Sequence, residues 1–142
     1  MNKNCTDVSQ SKKLLELGID IDTADMYYQY YKSFSPSEGI TEGHCNIPVI
    51  GSWKEHHISI PNPTMPHADI PAWSLRALLE LMPEIHSERP KLDTGRIQTD
   101  KYYVEYPYHE RTKKDWHSTE LYDEPLDAAF EMVCWLKENN KL

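Results

Sequence analysis

The richest chemistry in this chain belongs to its seven histidines and three cysteines. His44-Cys45 and His56-His57 lie close enough in sequence to suggest a zinc centre. Zinc sites usually draw ligands from short-spaced pairs such as Cys-x-x-Cys or His-x-x-x-His, and neither spacing occurs here. If His56 and His57 belong to a strand, their side chains point to opposite faces and cannot readily share one ion. Asp20, Asp22 and Asp25 open like a calcium loop. The sixth position, however, holds Asp25 where glycine is required, and the twelfth holds Tyr31 where a bidentate glutamate belongs. Ser74 lacks the Gly-x-Ser-x-Gly elbow of a nucleophilic serine and reads as a helix cap. The five glycines form no phosphate loop. The residue types therefore assign no catalytic, cofactor-binding or metal-ligating residue.

The elements that would have to position any site are clearer. Pro125 suits a first helical position, with Asp123 or Glu124 before it, and Glu124–Asn140 follows as an amphipathic helix. Leu126, Ala129, Phe130 and Val133 repeat at i, i+3, i+4 and i+7, so Phe130 is expected in the core; Met132 and Trp135 widen the stripe. A second helix is expected over 73–82, with Ser74 as cap, Trp73 and Leu78 as staple, and Leu75, Leu78, Leu79 and Met82 buried before Pro83. Tyr102–Leu121 reads as two strands around a polar turn at 109–114. Pro107 cannot donate to a ladder, so the first strand is expected at an edge or unpaired there.

Residues 9–26 read as a short helix capped by Ser9 or Ser11, a left-handed stop at Gly18, and a second helical start at 24–26 capped by Asp22 or Thr23. Residues 33–71 read as an irregular, proline-rich segment. Within it Ile47–Ile50 and His57–Ile60 are expected as short strands, and Pro61–Pro66 as extended loop. The four tyrosines Tyr27, Tyr28, Tyr30 and Tyr31 fit a short strand or a helix end. Residues 84–100 read as polar linker. Long irregular stretches in a compact chain often carry binding loops, which makes this middle region the one to watch for a small-molecule or catalytic role.

With 142 residues, 39% hydrophobic and 27% charged, the chain has the size and composition of one soluble globular domain. No run approaches a membrane span and no apolar signal core is seen, so a cytoplasmic location is expected. Cys5, Cys45 and Cys134 are far apart and odd in number, which argues against a disulfide framework. The net charge of −8 points away from direct nucleic-acid binding. Asp115–Glu138 carries seven acidic residues against Lys137. That run is a solvated helix face, an acidic surface for a basic partner, or a mimic of nucleic acid. Trp53, Trp73, Trp116 and Trp135 are expected mostly in the core, an exposed aromatic subset being suited to an interface.

Five stretches carry a resemblance. They are Ser11–Gly18, Thr23–Met26, Ile70–Leu75, Ala77–Pro83 and Pro125–Leu136. Together they resemble a family of small uncharacterised bacterial proteins found in prophages and integrative mobile elements of gut anaerobes. The resemblance implies a setting and brings no catalytic residue with it.

The sequence therefore predicts a single α+β domain over 1–142, a small antiparallel sheet with N-terminal, central and C-terminal helices packed on it. The expected role is a non-enzymatic accessory or protein-interaction function in a mobile element, with an unidentified protein partner. The expectation includes no cofactor, no metal, no direct nucleic acid and no membrane. The alternatives are a small-molecule-binding or catalytic role in 33–70, and an acidic inhibitor of a nucleic-acid enzyme.

Overall fold

A computed structural model describes residues 3–59, 69–84, 89–95, 97–110 and 113–142. The expected Pro61–Pro66 loop falls outside these residues. The fold is α+β, with small sheets that are all antiparallel. By contact it divides into two compact units, Asp7–Ser74 and Met1–Thr6 with Leu75–Leu142.

In the Asp7–Ser74 unit, helix α1 spans Val8–Glu16. Its cap is Asp7, not Ser9 or Ser11. The Asp7 carboxylate accepts the Gln10 N–H at 2.8 Å and the Gln10 side chain accepts the Asp7 N–H at 3.1 Å, a reciprocal capping box. Ser11 is fully buried instead. Gly18 takes the left-handed stop at φ 83°, as expected. The second helical start is replaced by one 3-10 turn, Ile21–Thr23. The Asp20 carboxylate accepts the Asp22 N–H at 3.0 Å and caps this turn, after which the chain turns extended and Met26 starts a strand.

Strands β1 (Met26–Tyr28), β4 (Val49–Ile50) and β5 (Ile70–Ala72) form one sheet in the order β4-β1-β5. Strands β2 (Tyr30–Ser35) and β3 (Gly39–His44) form a separate two-stranded ribbon. The expected irregular segment thus contains regular pieces, and the expected strand at 57–60 is displaced by helix α2, Trp53–Ser59. The cause is local. Ser52 Oγ accepts the Glu55 N–H at 3.2 Å, in the Ser-x-x-Glu spacing that starts helices. Trp53, Leu14, Ile19, Ala24, Met26, Ile70 and Trp73 are buried. The Trp73 indole N–H donates to Thr23 Oγ1 at 2.9 Å.

The other unit contains α3 (Leu75–Leu81), β6 (Lys91–Thr94), β7 (Tyr102–Glu110), β8 (Lys113–Ser118) and α4 (Pro125–Glu138), with sheet order β6-β7-β8. The expected 84–100 linker hides β6, whose Lys-Leu-Asp-Thr has one half-buried residue and is held by its ladder to β7. The expected turn at 109–114 is narrower, because pairing continues to Glu110 and Lys113. β6 reaches β7 only as far as Glu105, opposite Lys91. Val104 O accepts the Thr119 N–H, so alternation turns Pro107 toward the side where β6 has ended. The missing N–H therefore leaves no ladder bond unmade.

Helix α4 packs on β7 and β6 and against α3. Being covered from two directions moves its buried arc. Leu126, Ala128, Ala129, Met132, Val133 and Leu136 are all at 0% exposure. At about 100° per residue, Phe130 lies beyond the Leu126 margin of this arc and is only half-buried. The expectation of Phe130 as a core residue is thereby corrected. In α3, Ala77 and Leu78 are buried, whereas Leu75 and Leu79 are half-buried. No helix among the described residues is long and apolar enough to cross a membrane.

Candidate functional site

The β2–β3 ribbon is the most distinctive surface. Ser35-Pro36-Ser37-Glu38-Gly39 builds its turn: the Glu38 N–H donates to Ser35 O at 3.3 Å and Gly39 follows at φ 78°. Proline at the second turn position and a left-handed glycine after it suit a three-residue hairpin connection. That signature could have identified the hairpin from sequence.

Register places Tyr30 opposite His44, Lys32 opposite Glu42 and Phe34 opposite Ile40. These three pairs share one face of the ribbon. At the base, the pairing is fastened. The Tyr30 N–H donates to Asp69 Oδ1 at 2.8 Å, the Tyr30 hydroxyl donates to Glu42, and the His44 ring meets the Tyr30 ring edge-on at 5.9 Å. The Glu42 hydrogen bond, with smaller help from burial and the carboxylate charge, holds the Tyr30 hydroxyl above its ordinary pKa. On the other face Tyr31 lies over Gly43, where an added Cβ would come within 3.1 Å of its hydroxyl.

The tip is bare. Phe34 is 74% and Ile40 63% exposed, although they face each other across the strands. The Cys45 N–H donates to Gln29 O, so alternation directs the backbone groups of Lys32 and Phe34, and of Ile40 and Glu42, outward. No third strand pairs with either edge among the described residues. Ile50, on the edge strand β4, is 86% exposed and Ile47, ahead of it, 82%.

The residues that sequence reasoning weighed for chemistry are dispersed into structural roles. His44 ends β3 and Cys45 follows it, while His56 lies on α2. His56 Nε2 is 2.7 Å from Asp69 Oδ2, each side chain being 14% exposed, and the ring stacks on Tyr27 at 3.9 Å. The Asp69 carboxylate thus ties α2 to the start of β2. An imidazole oriented by a carboxylate is an element of general-base sites, but here both Asp69 oxygens are engaged in fastening backbone and helix. The His57 side chain is outside the described residues. Asp20 caps the 3-10 turn, and Asp25 accepts both the N–H (2.8 Å) and the hydroxyl of Ser74. Among the described residues, no three His, Cys, Asp or Glu side chains gather as a metal site would require.

The acidic run is largely occupied within its own unit. Lys3 Nζ pairs with Asp127 at 2.8 Å, the Lys3 N–H donates to Glu124 at 3.2 Å, and Lys101 pairs with Asp123. Tyr122 hydrogen-bonds Glu131; this bond, aided by burial and the surrounding carboxylates, raises the phenol well above its usual range. His117 stacks flat on Trp135 at 3.8 Å and 9°. Burial lowers its pKa, against a smaller opposing effect of Glu131. Comparison of the chain with protein-family models, with curated proteins and with solved structures finds no match.

Proposed function

We propose that this protein is a protein-interaction module whose β2–β3 ribbon captures an extended, apolar and basic segment of a partner by strand addition. The observation that carries this reading is the ribbon itself. It joins two edges that no strand among the described residues pairs with to the exposed Phe34–Ile40 pair, with the base fastened by Asp69 and the tip left bare. Unpaired strand edges are templates for a further strand, which contributes main-chain hydrogen bonds, while side-chain anchors select the sequence. The net charge of −8 favours a basic segment. An accessory role in a bacterial mobile element is the setting that the family resemblance suggests for it.

The alternative of an acidic inhibitor has less support, since Asp123, Glu124, Asp127 and Glu131 already have partners in the chain. Selection of a displayed random-peptide library tests the proposal, with counter-selection against the double variant Phe34→Ser, Ile40→Ser. Both side chains are exposed, so the variant should fold. The expected products are peptides of alternating apolar and basic residues that bind the parent at least about tenfold better than the variant. Peptides that bind both equally, or an absence of enrichment, would overturn the reading.

A further inference from the structure

We propose that the face of the β6–β7–β8 sheet turned away from α4 holds a small-molecule site for an apolar compound bearing one cationic group, an aryl- or alkylammonium. Val104 is fully buried on the α4 side, so alternation along β7 places Tyr103 and Glu105 on the opposite face. From the loop after β6, Gly95, Ile97 and Gln98 border that face beside Tyr103 and Glu105. The Gly95 N–H donates to Lys101 O at 3.0 Å and the Lys101 N–H to Gln98 O at 3.1 Å. A Cβ at Gly95 would lie 2.8 Å from Gln98 O and 3.2 Å from Leu121 Cδ2, so the loop closes this tightly only with glycine there.

An open cleft of about 600 Å³ lies there, lined by Ile97, Tyr103, Leu121, Glu105 and Ser118, together with Gly95 and Gln98. That volume falls within the range of ligand pockets, which pair mostly apolar walls with a few convergent polar groups. Ile97 is 97% exposed and Leu121 43%, so two aliphatic side chains present apolar area that a ligand could cover. Glu105 is the one charged side chain among the described lining residues, and Ser118 Oγ donates to it at 3.3 Å. Lys91 faces Glu105 in register but does not line the cleft. An anionic wall group between aliphatic walls selects a cation with an apolar body and disfavours an anion of the same shape.

Amide chemical shifts of the full chain, titrated with phenethylammonium, 3-phenylpropionate and 3-phenylpropanol, test this. The ammonium should give saturable shifts at Gly95, Gln98, Ser118 and Leu121 with a dissociation constant on the order of 1 mM, fitting for so small a ligand. The alcohol should bind about tenfold more weakly and the carboxylate not measurably. Glu105→Gln should remove the preference for the cation. Ile97→Ser, at a nearly fully exposed position that cannot unfold the chain, should weaken ammonium binding severalfold. Absence of saturable shifts with the ammonium, equal binding of the carboxylate, or an unchanged affinity in Ile97→Ser would overturn the proposal. Should Glu105→Gln not fold, as read by circular dichroism, the Ile97→Ser result decides.

Discussion

His117, on β8, lays its ring against Trp135 of α4, and burial makes its protonated form unfavourable. The folded pKa is below the unfolded value, so the unfolded chain binds the proton more readily. The stabilisation is present in full above the unfolded pKa of about 6.5 and is lost as pH falls through the folded value. Urea unfolding between pH 7 and pH 5 should therefore show a decline in stability that is shallower in His117→Asn. An equal slope in the variant would place the dependence elsewhere. One oxygen of nearby Glu131, Oε2, is buried with no hydrogen-bond partner among the described residues. None of this was legible in the sequence, because the His117–Trp135 contact joins residues whose spacing has no local period. Gly39 is another residue-scale case. Its φ of 78° is strained for any L side chain, although nothing lies within 4 Å of an added Cβ. Gly39→Ala should cost about 1 kcal/mol and Gly39→Asn less, since asparagine tolerates the left-handed region; thermal unfolding of the pair would separate backbone strain from steric clash.

At the scale of elements, the buried arc of α4 makes a prediction that differs from simple heptad reading. Leu126→Ala should cost about 2–5 kcal/mol, whereas the larger truncation Phe130→Ala should cost less, because half-buried Phe130 leaves a smaller cavity. Denaturant midpoints of the two variants would show the order. Periodicity gave the existence of α4 and its Pro125 start but not the exact face, since α3 covers it from a second side and sequence contains no record of that neighbour. Helix α2 was readable in principle. Ser52-Trp53-Lys54-Glu55 has the capping spacing, yet the β-like run after it drew the reading toward a strand. Ser52→Ala should cost about 0.5–2 kcal/mol, seen as faster amide exchange in α2. Strand β6 was not readable, because an edge strand held by backbone bonds needs no apolar alternation. The hairpin at the candidate site announced its turn through Pro36 and Gly39, but the exposure of Phe34 and Ile40 is a tertiary fact.

For the whole molecule, a net charge of −8 means that association with a basic segment should slow as salt screens the field, with a Debye length of about 10 Å at 0.1 M. Peptides selected on the ribbon should show on-rates that fall with salt while off-rates change little; salt-independent on-rates would remove charge from the recognition. The order of the chain adds a consequence of another kind. One unit is contiguous, Asp7–Ser74, whereas the other begins with Met1–Thr6 and resumes only at Leu75. During synthesis, Lys3 emerges 124 residues ahead of Asp127, and buried Cys5 and Thr6 precede every named strand of their unit. The contiguous unit can condense while the ribosome is still translating, but the discontinuous one must wait for α4. A contact such as Lys3–Asp127 thus joins an early-made residue to a late-made one, and this unit completes its folding only after the contiguous one has had time to condense.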